Sequence, residues 1–129
     1  MAKIKRLFAE EVLDAKGYPA IETTVVLSDG IIARSSAPSG TSKGAYEASE
    51  SRDATSKRYN GYGVLKAVDN VEKIIAPSLI GIDIYDLQKI DKLMIELDGT
   101  QNKTRLGANS ILSVSQAVAK AGAQSSHLP

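Results

Sequence analysis

Residues 38–44 read Pro-Ser-Gly-Thr-Ser-Lys-Gly, which places the hydroxyls of Ser39, Thr41 and Ser42 and the cation of Lys43 between Gly40 and Gly44. A hydroxyl can donate or accept a hydrogen bond, or offer a hard oxygen to an ion. Residues this small and polar bury too little surface to offset the entropy of ordering them, so the stretch is expected to be a mobile loop. Taken alone it has a plainer reading, since Gly-containing polar loops are most often solvent-facing connectors. His127 is the chain's one histidine. It has no partner nearby in sequence and is expected to be exposed rather than catalytic. The chain has no cysteine, so disulfides, thiolate metal sites and cysteine nucleophiles are excluded.

The elements that must hold such a loop come from a chain of 129 residues, the size of one domain with one core. Sixteen Lys and Arg against fifteen Asp and Glu leave a net charge of +1. No stretch interleaves basic and aromatic residues, so nucleic-acid binding is not indicated. No segment approaches the roughly 20 apolar residues that cross a bilayer, and the start, MAKIKRLFAEEV, makes a poor signal peptide. A cytoplasmic setting is the expectation.

The first third alternates as strands do and the remainder repeats as helices do, which predicts an α+β domain. The segment holding Ile4, Leu7 and Phe8 is ambiguous between strand and irregular chain, and it closes at the turn-like run Asp14-Ala15-Lys16-Gly17-Tyr18-Pro19. Pro19 opens a strand rich in β-branched residues from Ile21 to Leu27. Ser28-Asp29-Gly30 is a turn, and Ile31 to Ser35 returns as the second arm of a hairpin. After Tyr59-Asn60-Gly61-Tyr62-Gly63, apolar residues at Val64, Leu65, Val68, Val71, Ile74 and Ile75 predict a helix that ends near Pro77. A second helix is predicted to start at an Asp83 cap, with a buried stripe of Ile84, Leu87, Ile90, Leu93, Met94 and Leu97 and a left-handed stop at Gly99. The last helix, roughly Ala108 to Gly122, is lined with Ala and Ser, while Ile111, Leu112, Val114 and Val118 can serve the local core. Its small surface fits burial within this domain or against a second one equally well.

The run Ala37-Pro38-Ser39-Gly40-Thr41-Ser42-Lys43-Gly44, followed by Tyr46-Glu47-Ala48 and Ser51-Arg52-Asp53, closely resembles the loop region of enolases. Further matches keep the same order: Glu11-Val12-Leu13-Asp14 with Gly17 and Pro19, Gly63 to Val68, Ile90-Asp91, Glu96 to Thr100, Asn102-Lys103, and Leu106-Gly107-Ala108-Asn109 with Ile111-Leu112. The resemblance covers nearly the whole chain but only the amino-terminal domain of that family. It implies a three-stranded antiparallel meander followed by a helical layer, with the catalytic barrel absent from residues 1–129 and the chain a fragment of a longer protein.

Enolase, or phosphopyruvate hydratase, is a glycolytic lyase that reversibly dehydrates 2-phosphoglycerate to phosphoenolpyruvate. In the family two magnesium ions neutralise the enediolate formed when a Lys removes a proton and a Glu assists the departing hydroxide. Those residues belong to the barrel, so no catalytic residue is expected in this chain, and the fragment alone is expected to be inactive. What the resemblance assigns here is the substrate-closing loop, Ser39, Gly40, Thr41, Ser42, Lys43 and Gly44, with Ser42 as a ligand to the second Mg2+. Lys43 is either a solvated charge or a group that attracts the substrate's phosphate or repels a metal.

The sequence also departs from its relatives. Lys16 replaces an arginine and loses its bidentate fork. Glu10 stands where many relatives place a basic residue used across a homodimer interface. Lys43 and Thr41 change both neighbours of Ser42. Two alternatives therefore stay open: a non-catalytic enolase-like binding module, and the capping domain of another enolase-superfamily enzyme.

Overall fold

The computed structural model describes residues 2–37, 51–53, 59, 63–99 and 106–126. Three strands, β1 (Ile4–Leu13), β2 (Pro19–Leu27) and β3 (Ile32–Ala37), form an antiparallel meander in the order β1-β2-β3. The ambiguous opening segment is therefore a strand. Its period of two is broken because the register shifts between Ile4 and Arg6, and this irregularity lets Ile4 and Leu7 both face the core although they lie three apart. The turn into β2 is held by Asp14, whose carboxylate accepts the amides of Lys16 and Tyr18, each at 2.9 Å. The turn into β3 has Gly30 at φ +92°, and Asp29 accepts the Ile31 amide at 3.1 Å. Asp29 titrates below its ordinary value of 3.8, first because the Ser125 hydroxyl donates to it and then because of that amide.

The inward sheet face carries Ile4, Leu7, Ala9, Ile21, Val25, Leu27, Ala33 and Ala37, all buried, and the helices cover it. Helix α1 (Leu65–Asn70) runs into a π-helical turn (Val71–Ile75) and then α2 (Ala76–Leu79), so the helical path continues past Pro77 rather than ending near it. The buried positions explain the widened turn. Ala67, Val71, Ile75 and Leu79 are spaced by four, which drifts about 40° per step on a 3.6-residue helix. A π turn absorbs that drift just before Pro77, where a proline cannot supply an amide. Leu65, next to the buried Val64 in the predicted apolar pattern, is exposed.

The second predicted helix starts later than expected. Asp83 accepts the Tyr85 amide at 3.0 Å and bridges Lys3, so residues 83–86 form a turn and α3 spans Leu87–Asp98. Ile84, Ile90 and Met94 are buried, whereas Leu87 faces solvent. Gly99 at φ +68° ends the helix as predicted.

Helix α4 (Ala108–Ser125) lies across β2 and β3 and also touches α3 and α1. Its small residues Ser110, Ser113, Ala117, Ala121 and Gly122 are buried against this domain, while Leu112 is exposed rather than in the core. A row of polar contacts follows the helix along the sheet. Thr23 and Ser113 share a 2.7 Å bond, Ser35 donates to Gln116 at 2.9 Å, Lys120 donates to the Arg34 carbonyl at 3.1 Å, and Ser125 donates to Asp29 at 2.6 Å.

Candidate functional site

The predicted site residues Ser39, Gly40, Thr41, Ser42, Lys43 and Gly44 lie outside the described residues, as does His127. Both flanks of the loop are described, and the fold brings them to one end of the sheet. On the upstream side Ala37 is buried and pairs with Ile21, which in turn pairs with Glu11 of β1. On the downstream side Ser51, Arg52 and Asp53 are each held by a different element.

Ser51 is held by Asn109 in the first turn of α4. Asn109 Oδ1 accepts the Ser51 amide at 2.8 Å, and Nδ2 donates to the Ser51 carbonyl at 3.1 Å. Gly107, just before that helix, has φ +91°. A Cβ there would stand 2.5 Å from Ser51 Cβ and 2.7 Å from its nitrogen, so only hydrogen fits. Arg52 donates through Nη1 to the carbonyl of Pro19, the residue that opens β2. Asp53 accepts the amides of Leu65 and Lys66 at 3.0 and 3.1 Å, so it caps α1 from outside the helix. Beside it Glu11 Oε2 accepts the Val64 amide at 2.8 Å.

The same device recurs at Leu106, whose amide donates to Asp98 at 2.7 Å and whose carbonyl accepts from Asn70 at 3.1 Å. Asp98, Asn70 and Asn109 are buried polar groups, and each bonds main chain. This end of the molecule can present a loop from fixed points. Among the described residues no three of His, Cys, Asp and Glu gather as metal ligands, and no helix is long and apolar enough to cross a membrane.

The sequence reading assigned no role to Asn109, Asp53 or Glu11. Only Asn109 left a local trace, because an amide side chain in the first turn of an Ala/Ser helix disfavours the helix unless it bonds main chain. A family model described as Enolase, N-terminal domain, matches residues 4–129.

Proposed function

Because the chain belongs to the enolase amino-terminal domain family, we propose that it is the capping domain of an enolase whose full-length form reversibly dehydrates 2-phosphoglycerate to phosphoenolpyruvate in the cytoplasm. Its partner in that reading is the parent's own carboxy-terminal barrel, which carries the acid and base. The loop of Ser39, Gly40, Thr41, Ser42, Lys43 and Gly44 closes over the bound substrate and excludes water. Ser42 offers an oxygen ligand to the second Mg2+, an ion that would supply charge neutralisation for the enediolate. Lys43 supplies a cation that would attract the substrate's phosphate.

The observation that carries this reading is the convergence at one sheet end, where Ala37 pairs with Ile21 and Ser51 is gripped by Asn109. A segment that must reach a neighbouring body and return needs both of its roots fixed. Glu10, directly opposite Glu22 across β1 and β2, stands where relatives carry a basic residue used across a homodimer interface, and so argues against the usual homodimer.

Ser42→Ala in the full-length protein tests the assignment. It is expected to weaken the dependence of rate on magnesium while leaving the urea unfolding midpoint in place, as for an exposed substitution. An unaltered magnesium dependence would count against Ser42 as the ligand, whereas a full-length protein with no turnover of 2-phosphoglycerate would favour the non-catalytic binding module.

A further inference from the structure

We propose that Asn109 is a positioning residue for the reaction of the full-length protein: its carboxamide grips both main-chain polar groups of Ser51 and so fixes the position and direction of the chain at that residue. The inference rests on the enolase reading above and deepens it.

One bond would fix a position, but two bonds from one planar amide also fix a rotation. Asn109 makes both, to the Ser51 amide at 2.8 Å and to its carbonyl at 3.1 Å. The carboxamide is held in turn, since Asn109 is only 4% exposed. Gly107 removes the last freedom, because its α-carbon lies so near Ser51 that any side chain would collide. The next residues extend the grip, Arg52 to β2 through Pro19 and Asp53 to α1 through Leu65 and Lys66. The Asp53 amide also donates to the Gly63 carbonyl at 2.9 Å. Three consecutive residues are thus tied to α4, β2 and α1.

A plain connector needs none of this. Ordering each residue opposes folding by about 1–2 kcal/mol, and asparagine is a poorer helix former than the alanine that would otherwise suit α4. Holding Ser51 this firmly has a use if the segment before it must meet a substrate at a set angle, since misplacement by about 1 Å is enough to slow catalysis.

The test separates positioning from stability in the full-length protein. Asn109→Asp keeps the shape and the bond from the Ser51 amide, places a carboxylate at the helix end that favours it, and turns the second oxygen against the Ser51 carbonyl. Its urea midpoint is expected to fall, because the buried carboxylate faces the Ser51 carbonyl with no proton to share, while KM for 2-phosphoglycerate and the magnesium activation midpoint rise several-fold. Asn109→Ala removes both bonds and is expected to raise them about tenfold and to speed amide exchange at Ser51, a readout that does not depend on turnover. Val118→Ala, a buried change on α4 away from Ser51, is expected to lower the urea midpoint and leave KM alone.

The proposal is overturned if Asn109→Asp leaves KM and the magnesium midpoint unchanged while Ser42→Ala shifts them, or if Val118→Ala moves KM as far as Asn109→Asp does. If the wild-type full-length protein does not dehydrate 2-phosphoglycerate, the enolase reading fails and takes the inference with it; if it does and neither Asn109→Asp nor Ser42→Ala changes KM or the magnesium midpoint, the inference alone fails. Should Asn109→Ala not fold, Asn109→Asp decides alone.

Discussion

Gly107 and Gly30 have nearly the same backbone, φ +91° and +92°, in very different surroundings. Nothing lies within 4 Å of a Cβ built at Gly30, whereas one at Gly107 meets Ser51 at 2.5 Å. Gly30→Ala is therefore expected to lose about 1 kcal/mol from backbone strain alone. Gly107→Ala adds overpacking and should lose about 3 kcal/mol, and urea midpoints of the two variants compare them directly. An equal loss would mean that Ser51 can give way.

At this scale the sequence was only partly legible. Gly17, Gly30 and Gly99 stand in turns and caps whose neighbours announce them. Asn109 and Ser51 are separated by 58 positions, Asp53 caps a helix from 12 positions upstream, and no local pattern records such pairs. The named loop residues rest on resemblance.

Among the elements, α4 is stitched to the sheet along its length, and its last stitch titrates. The Ser125 hydroxyl, and secondarily the Ile31 amide, hold Asp29 below 3.8. The folded pKa lies below the unfolded one, so this contribution is complete above the unfolded value and is lost as pH falls through the folded value. Ser125→Ala is expected to lower the urea midpoint at neutral pH, and its gap to wild type should narrow through that acid window. A gap that stays constant with pH would rule out Asp29 as the group concerned.

The strands β2 and β3 and the order of the helices followed from periodicity, but β1 and three further features did not. Pro77 reads as a stop until the π turn before it is known. Asp83 reads as a helix cap although it serves a turn. The small face of α4 fits two neighbours equally until its contacts with β2 and β3 decide for this domain. Each depends on packing across the fold, which local sequence does not encode.

Taken as a whole, the molecule has one continuous apolar cluster that joins all three strands to α1, α2, α3 and α4. Such a body is expected to unfold in one step. Far-UV circular dichroism and tyrosine fluorescence of residues 1–129 should give coincident urea transitions, and separated transitions would show that the helical layer melts independently. The α+β class was legible at this scale because alternation and helical repeat occupy separate parts of the chain.

The gathering of Ala37 and Ser51–Asp53 at one end of the sheet has an evolutionary corollary. Between two fixed points a connecting segment adds little closure entropy as it grows, about 0.6 kcal/mol for each doubling of length. Insertions, deletions and exchanged residues between those two posts can accumulate while the body beneath them stays the same. Thr41 and Lys43, on either side of Ser42, lie between those posts in sequence, so exchanges there are expected to leave the body's urea midpoint in place.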